Sequence, residues 1–440
     1  MGIFFLVLYN LLAPFIAAVY LLFFFLSPRR GLLRNLLPEL RQRLALTTPS
    51  FTERPLWFHA ASVGEVKALR GLLPVMNGLY PSRPVMITAS TSSGLAQARR
   101  LTPYAFLLPL DSYPLMRRFM AGTRPELLMI AETELWPNLL YAAGRSGIKV
   151  IMINARLSPR TLAFYRAVSP VADLMFANIA KIAVQSGEDF ERYRALLRGT
   201  EKLILTGNIK YDLVAPQPQD GAEIMAFIGS AGWKDKQIFC AGSTHPEEED
   251  LILEAFLKVK AALPDTRMII APRHPETASA TAARLRNKGL TAPLWSRRAH
   301  TRSPLSAAEP ADRQRGYPGP DCLLVDELGR LADMYFYSTV VFVGGTLDET
   351  GGHNVLEPSA FSKPVFFGPN VKHTREGALA LINKNGGFMV ETAGELADKI
   401  ISLLQNPAAL EAAGAASKAA LESLQGATRK TLELISQQLG

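Results

Sequence analysis

The first residue suited to chemistry is the carboxylate Glu65, at the end of the segment Ala60-Ala61-Ser62-Val63-Gly64-Glu65. The apolar run at residues 55–59 predicts a buried strand before it, and residues 66–73 have the pattern of an amphipathic helix. The small residues between them allow a tight turn with close backbone approach. In a parallel sheet this turn places Glu65 at the carboxyl edge, where open α/β sheets bind ligands. A lone carboxylate there is a candidate general base.

A second acidic loop, Ala131-Glu132-Thr133-Glu134-Leu135-Trp136-Pro137-Asn138, follows the predicted strand 127–130. If this strand shares a sheet with the first, Glu132 and Glu65 project from the same edge. Two carboxylates at one site can divide roles, one acting as the base and the other stabilising charge or orienting groups. The alternative is that Glu132 and Glu134 are acids at a helix N-terminus that interact with the helix dipole.

Paired glycines mark a third segment, Gly344-Gly345-Thr346, followed by Gly351-Gly352-His353-Asn354-Val355-Leu356-Glu357. A helix starting near His353 would direct its N-terminal amides at a phosphate. Asn354 and Glu357 would then share one helical face, and Glu357 could accept hydrogen bonds from ribose hydroxyls. A Gly-Gly turn before any helix has a similar pattern. The spacing differs from Gly-x-Gly-x-x-Gly, which disfavours NAD binding.

Arg273 and His274 follow another apolar run, in Ala271-Pro272-Arg273-His274-Pro275-Glu276. Arginine suits bidentate pairing with phosphate or carboxylate. His274 is either a ligand-binding residue or a structural one. A similar turn at residues 241–247 contains Ser243 and Thr244, whose hydroxyls either cap a helix or contact phosphate.

Lys210, in Thr206-Gly207-Asn208-Ile209-Lys210-Tyr211-Asp212, could neutralise a leaving phosphate at a domain junction, or it is simply solvated. No group of His, Cys and Asp residues has metal-ligand spacing, so neither a metal nor a cofactor is predicted.

The elements that must position these residues are short apolar strands alternating with helical patterns, which is typical of parallel sheets covered on both faces. The predicted strands are 56–59, 84–88, 106–109, 127–130, 150–153, 182–185 and 203–206, then 238–241, 268–271, 322–325, 340–343 and 364–367. Residues 211–221 have the composition of an interdomain linker. Residues 296–321 are predicted to form a mobile surface loop. The pattern predicts an α/β protein with two successive doubly wound sheets and a cleft between them.

Residues 3–26 are almost wholly apolar. At about 1.5 Å per residue they are long enough to cross a hydrocarbon core of about 30 Å. Five arginines follow within residues 29–43, so the positive-inside rule places the rest of the chain in the cytoplasm. A buried core helix or a monotopic hairpin is the alternative to this single-pass or embedded anchor.

The composition of the chain indicates its redox compartment and its classes of partner. The two cysteines, Cys240 and Cys322, lie in apolar runs, which predicts buried free thiols in a reducing compartment. The net charge of +9 favours anionic partners such as phosphorylated lipids or nucleotides, or reflects only a solvated surface. Nucleic acid is disfavoured because no basic stripe is interleaved with aromatic residues.

Together these segments resemble the 3-deoxy-D-manno-octulosonic acid (Kdo) transferases of Gram-negative bacteria. The resemblance extends over nearly the whole chain. Besides the anchor it comprises Ser62–Glu65, Glu132–Asn138, Asn154–Ser158, Thr206–Asp212, Pro272–Glu276 and Gly351–Asn354. It implies a GT-B fold, CMP-Kdo as donor and a lipid A precursor (lipid IVA) as acceptor at the inner membrane. It also implies inverting transfer of one or more Kdo units in lipopolysaccharide core biosynthesis, without a bound metal.

The resemblance also implies roles for individual residues. Glu65 is the base that deprotonates the acceptor hydroxyl, and Glu132 and Lys210 stabilise the transition state. The implied CMP-Kdo site comprises Arg273, His274, Leu328, Gly329, Arg330, Asn354, Val355, Leu356 and Glu357. The family often has Glu where this chain has Arg330, so that contact is made by backbone or differs here.

The predicted domains are an anchor (1–28), an N-terminal Rossmann-like acceptor domain (29–212), a linker (213–235) and a C-terminal CMP-sugar domain (236–440). Three alternatives stay open. One is a membrane-associated GT-B transferase that uses a UDP-sugar. The others are a sugar-nucleotide epimerase on the same fold and a non-catalytic membrane scaffold.

Overall fold

The computed structural model describes residues 4, 6–11, 33–214, 221–297 and 319–440. They divide into two compact domains. The first comprises Met1–Leu213 together with Gln425–Gly440, and the second comprises Val214–Leu424.

The first domain is built on a seven-stranded parallel sheet with the strand order β3-β2-β1-β4-β5-β6-β7. Its strands are β1 (Leu56–His59), β2 (Val85–Ala89), β3 (Ala105–Leu107), β4 (Leu127–Ala131), β5 (Lys149–Ala155), β6 (Lys181–Val184) and β7 (Leu203–Leu205). All seven strands agree with the predicted apolar runs, and each strand end lies within two residues of its predicted position. The order reverses between β1 and β4, which makes this pair the topological switch point.

Helices connect the strands and cover both faces of the sheet. They are α1 (Leu33–Arg43), α2 (Val63–Ala68), α3 (Leu72–Leu79), α4 (Ser92–Ala98), α5 (Tyr113–Thr123), α6 (Pro137–Arg145), α7 (Pro159–Ala167), α8 (Ser169–Ala177) and α9 (Gly187–Leu197). Local sequence fixes several starts. The side chains of Ser62, Thr91, Ser158 and Ser186 each accept a hydrogen bond from a first-turn N–H. Pro137 begins α6, as predicted.

The second domain has a six-stranded parallel sheet with the order β10-β9-β8-β11-β12-β13. Its strands are β8 (Ile238–Thr244), β9 (Arg267–Pro272), β10 (Cys322–Leu324), β11 (Val340–Val343), β12 (Val365–Phe367) and β13 (Gly387–Met389). Its helices are α10 (Gly221–Ser230), α11 (Pro246–Ala262), α12 (Ala278–Asn287), α13 (Leu331–Tyr337), α14 (Arg375–Asn383), α15 (Ala393–Leu404) and α16 (Pro407–Leu424). Both thiols are free and buried, as predicted.

The structure corrects the predicted domain boundaries at two places. The last helix, α17 (Ala427–Leu439), belongs to the first domain rather than to 236–440. Its Leu434 and Ile435 are buried in the first domain's core, and the carboxylate of Asp212 accepts from the N–H groups of Gly426 and Thr428 at 2.6 and 2.5 Å. The predicted linker 213–235 contains the helix α10, which belongs to the second domain and buries Ile224, Phe227 and Ile228.

Strand β13 was not predicted, because its three residues follow one glycine and begin with another, so that only Phe388 and Met389 are large and apolar. The anchor prediction for residues 1–28 falls mostly outside the described residues, as does most of the loop predicted at 296–321. Residues 6–11 are helical. Within the described part of the chain, no helix has the length and apolar character needed to cross a membrane.

Candidate active site

The first candidate site lies at the switch point of the first sheet. His59, the last residue of β1, pairs in register with Ile130 of β4. The loops that follow these two strands carry Glu65 and Glu132, so both carboxylates lie at the carboxyl edge of one sheet. This is the edge at which doubly wound sheets bind ligands, and the juxtaposition of Glu65 with Glu132 is as predicted.

Glu65 is held by hydrogen bonds to both of its carboxylate oxygens. The Ala61 N–H donates to Oε2 and the Ser62 hydroxyl donates to Oε1, each at 2.8 Å. The Glu65 N–H in turn donates to Ser62 Oγ at 3.3 Å, which completes a reciprocal cap at the start of α2. Only 9% of the residue is exposed. These hydrogen bonds therefore fix the position of the carboxylate that we predict from the sequence to be the general base.

The environment of Glu65 favours a proton acceptor that works closer to neutral pH than an ordinary glutamate. Burial raises the pKa of Glu65 above its usual value, and the charges of Glu132 and Glu134 raise it further. The hydrogen bonds from Ser62 and Ala61 act in the opposite direction without cancelling the rise. A raised carboxyl pKa is what general-base catalysis near neutral pH requires.

Glu132 and Lys210 form an ion pair beside this carboxylate. Lys210 Nζ donates to Glu132 Oε1 at 2.5 Å. Glu132 has a left-handed backbone with φ of 57°, a conformation that L-residues rarely adopt. Its N–H donates to Ile153 O at 3.0 Å, which ties the loop to β5. The structure thus brings together all three residues predicted to act in catalysis.

The alternative interpretation of Glu132 and Glu134 as acids at a helix N-terminus is wrong. Helix α6 begins at Pro137 and has no acidic residue in its first turn. The two glutamates lie in the preceding loop, where burial raises the pKa of Glu134. Its proximity to Glu65, whose pKa it raises, places Glu134 in the same cluster.

Asn154 also belongs to this site, although the sequence analysis assigned it no role. It is 1% exposed and also left-handed, with φ of 53°. Its side-chain Oδ1 accepts from the Ile209 N–H at 3.0 Å, so it holds the backbone directly before Lys210. The signals in the sequence were its place in the segment Asn154–Ser158 and its residue type, because asparagine near the end of a buried strand tolerates a left-handed backbone.

The second candidate site lies at the switch point of the other sheet, where β8 and β11 pair. Gly344 must be a glycine because a Cβ would lie 2.4 Å from the carbonyl oxygen of Ser243. Buried Glu248 joins the two loops by accepting from the N–H groups of His245 and Gly345 at 3.0 and 2.7 Å. Burial raises its pKa to about 7 despite these hydrogen bonds. The N-cap of α11 is His245. Neither Ser243 nor Thr244 therefore has the capping role considered for it.

Three histidines meet at this edge. His245 Nε2 lies 2.9 Å from His353 Nε2, and the two rings are stacked. The His274 ring packs edge-on against His245 with centroids 5.9 Å apart. Burial and, to a smaller extent, the charges of His245 and Arg273 together lower the pKa of His353 to about 4. His353 is therefore neutral near pH 7, and a positive charge that acts on it at this edge is the Arg273 guanidinium.

The same edge brings together one group of possible metal ligands within the described residues, namely His245, Glu247 and Asp348, whose ligand atoms lie within 4.8 Å of one another. Sequence spacing could not show this group because Asp348 belongs to a different loop. Asp348 already accepts from the N–H and hydroxyl of Thr350 at 2.9 and 2.8 Å.

The helix predicted to start near His353 is absent. Residues 351–354 are irregular, and turns lead to a 3-10 helix at Pro358–Phe361. Pro358 has no N–H to donate to the carbonyl of Asn354, which explains why no α-helix extends from His353. Asn354 and Glu357 are nevertheless neighbours, because Asn354 Nδ2 donates to Glu357 Oε1 at 3.4 Å. Val355 and Leu356 are buried.

The remaining predicted donor-site residues lie at the same edge of the second sheet. Arg273 directly follows β9 and is exposed, and its charge acts on Glu357 and His353. Arg330 is engaged by Glu223, Glu327 and Asp333 at 3.4, 3.7 and 3.9 Å. Leu328 is 70% exposed beside Gly329. Arg330 thus lies in an acidic environment that does not favour phosphate binding.

Comparisons with known proteins agree with this geometry. Residues 38–213 match a family described as 3-deoxy-D-manno-octulosonic-acid transferase (kdotransferase). A protein of Haemophilus influenzae named 3-deoxy-D-manno-octulosonic acid transferase is 31% identical, over 92% of this chain and 93% of its own length.

Solved structures share the fold at low sequence identity. A glycosyltransferase from Rickettsia africae has a TM-score of 0.57 and 12% identity, over 88% of this chain and 99% of the other. A UDP-GlcNAc 2-epimerase from Neisseria meningitidis has a TM-score of 0.58 and 11% identity, over 87% and 100%. These likenesses show the fold alone. On the sequence match to the full-length relative, the chain belongs to the 3-deoxy-D-manno-octulosonic acid transferase family.

Proposed function

We propose that this protein is an inverting GT-B glycosyltransferase that moves Kdo from CMP-Kdo to a hydroxyl of a lipid A precursor, with Glu65 as the general base. The observation that carries the proposal is the cluster at the first switch point. There a nearly buried carboxylate with a raised pKa lies beside the Glu132–Lys210 ion pair. Family membership supplies the chemistry to which this cluster is suited.

In the proposed step the acceptor hydroxyl gives its proton to Glu65 while its oxygen bonds to the anomeric carbon of Kdo. The bond from that carbon to the CMP phosphate oxygen breaks, and CMP leaves with the electron pair. Ser62 and the Ala61 N–H hold the carboxylate in place before substrate arrives. Such preorganisation means that the base need not be reoriented during the reaction. Lys210 supplies positive charge near the developing negative charge.

The second domain supplies the proposed donor site. Arg273 is exposed at the end of β9, and within the described residues no carboxylate lies within 4 Å of its guanidinium. It is therefore available for the CMP phosphate, with His274 and residues 354–357 beside it. Arg330, held by three carboxylates, contributes to the shape of the site rather than its charge.

The proposed location is the cytoplasmic face of the bacterial inner membrane, with residues 3–26 as a single-pass or embedded anchor. Support comes from the sequence, in which a long apolar run is followed by several arginines. A membrane location would place the enzyme where its amphipathic acceptor is concentrated.

The test is a transfer assay on the detergent-solubilised chain, with CMP-Kdo generated in situ and tetraacylated lipid A precursor as acceptor. Mass spectrometry of the lipid should show Kdo increments for the wild type and for the control Glu53→Gln, an exposed glutamate. Glu65→Gln should abolish transfer while CMP-Kdo binding survives. Arg273→Ala should raise the donor KM.

Near-normal turnover by Glu65→Gln would exclude this residue as the base. Inhibition by UDP rather than CMP would indicate a UDP-sugar transferase. A free sugar product with unmodified lipid would indicate an epimerase.

A further inference from the structure

A cationic groove on the first domain lies apart from the candidate active site. It has a volume of about 570 Å³ and follows the surface of α5 and α6. Its lining includes Arg54, Tyr113, Arg117, Met120, Arg124 and Arg145. Arg117 and Arg124 lie seven residues apart on α5 and its C-cap, which places them on one face of that helix.

The four arginines of this groove are not neutralised by acids. All four are exposed, and within residues 33–214 no carboxylate lies within 4 Å of any of their guanidinium groups. Arg54 and Arg124 donate to the carbonyl oxygens of Pro125 and Phe51 at 3.3 and 3.2 Å, which orients them without compensating their charge. Uncompensated arginines around a concave surface favour phosphate, which they bind in a bidentate manner.

The groove cannot be part of the candidate active site, because its arginines lie at the opposite edge of the sheet. Arg54 precedes β1, Arg124 precedes β4 and Arg145 precedes β5, so they gather near the amino ends of these strands. Glu65 follows the carboxyl end of β1. The charge of the groove thus requires an explanation other than catalysis.

An exposed apolar segment at one end of the groove indicates an amphipathic occupant, since the groove's own apolar lining residues are nearly buried. Met120 and Ile148 line the cavity beside the arginines. At the other end the N–H of Tyr113 donates to Asn10 Oδ1 at 3.1 Å. Asn10 Nδ2 donates to Asn138 Oδ1 at 2.8 Å, which fixes the N-terminal helical segment to α6. That segment exposes Phe4 and Leu11 by 69% and 71%.

We propose that this groove binds the headgroup phosphate of an anionic phospholipid. The occupant is chosen because the arginines complement its charge, and because the groove starts where an exposed apolar segment docks. This choice rests on the membrane association in the proposed function. A second lipid site of this kind would hold the domain against the bilayer without occupying the base.

The test measures lipid retention by the full chain in neutral detergent micelles, by native mass spectrometry, during titration with phosphatidylglycerol or phosphatidylcholine. Wild type should retain phosphatidylglycerol selectively. Arg117→Ala/Arg145→Ala should weaken this by about tenfold or more, since two of four cationic contacts are lost. The control Arg99→Ala/Arg100→Ala removes the same charge from exposed arginines at the end of α4 and should retain wild-type affinity.

Three results would overturn the proposal: equal retention of both lipids by wild type, equal loss in the control, or unchanged retention in the groove variant. Competition by inorganic phosphate at equal concentration would also overturn it, by showing a site for soluble anions. Matching circular dichroism spectra check that both double variants fold.

Kdo transfer to the lipid A precursor is measured in parallel, in detergent without phospholipid. Its rate should be unchanged in both double variants. Absence of transfer by the wild type would count against the proposed function alone, because lipid retention is read independently.

Discussion

Asn154→Ala is the substitution that best tests how the first site is assembled. It removes the oxygen that accepts from the Ile209 N–H, and Ile209 is only 1% exposed. A buried N–H left without a partner costs about 1–3 kcal/mol. Alanine must also adopt the left-handed backbone of Asn154, which costs about 1 kcal/mol. We therefore expect the free energy of unfolding of the first domain to fall by about 2–4 kcal/mol.

The same substitution should reduce catalysis through Lys210. Without the Asn154 contact the backbone before Lys210 is released, and the ion pair with Glu132 loses its fixed geometry. We expect kcat in the lipid transfer assay to fall by about tenfold or more, because a misplaced charge stabilises the transition state poorly. The donor KM should change little, since Arg273 belongs to the other domain.

Asn154→Gly separates the two effects. Glycine adopts the left-handed backbone freely, so this variant should recover the strain component of stability but not the transfer rate. Denaturant unfolding measures the first quantity and the assay measures the second. Wild-type kcat in both variants, with reduced stability, would refute the assignment of Asn154 as a positioning residue and leave it a structural role only.

Three further outcomes follow from the structure. The kcat/KM for transfer should fall at acidic pH, with a midpoint above 4.5, because burial raises the pKa of Glu65 above that ordinary value. Ser62→Ala should move this acidic limb of the pH–rate profile to higher pH, because it removes a hydrogen bond to the charged carboxylate. A pH–rate profile measures both, and an unmoved limb would contradict the role of Ser62. Lys210→Ala should lower kcat more than Lys210→Arg, which keeps the charge, and equal rates would exclude an electrostatic role for Lys210. Deleting residues 427–440 should lower the first domain's melting temperature in calorimetry by several degrees, because Leu434 and Ile435 leave its core, and an unchanged transition would show that α17 packs there only weakly.

The sheets could be predicted because both are buried on two faces. Strands such as Leu127–Ala131 and Val340–Val343 are wholly buried, and their continuous apolar runs distinguish them from half-exposed strands. Polar residues at their ends then located the site. Since β1 and β4 are neighbours, Glu65 and Glu132 had to converge once the sheet was parallel.

The sequence could not predict contacts that depend on loops distant in the chain. His245 and His353 lie together because the loop after β8 packs against the loop after β11 at Gly344. No local sequence pattern predicts that contact. The return of α17 to the first domain is similar, because its amphipathic pattern specifies a buried face but not the surface that covers it. The helix expected at His353 is absent for a local reason, because Pro358 lacks the N–H that a helix through this position requires.

The backbone at Glu132 and Asn154 argues that this site is shaped for function rather than stability. Glu132 directly follows β4, and Asn154 lies one residue before the end of the adjacent strand β5. Both have a left-handed backbone, in which glycine would be less strained. Non-glycine residues in that region cost of order 1 kcal/mol or more. In each case the retained side chain makes a contact that glycine could not, one to Lys210 and the other to the Ile209 N–H. The two strained positions act on the same lysine, one through its ammonium group and one through the backbone before it. The strain is therefore the cost of fixing the Glu132–Lys210 ion pair at the sheet edge that carries Glu65, and it is offset by the buried residues of β4 and of β5 after Lys149.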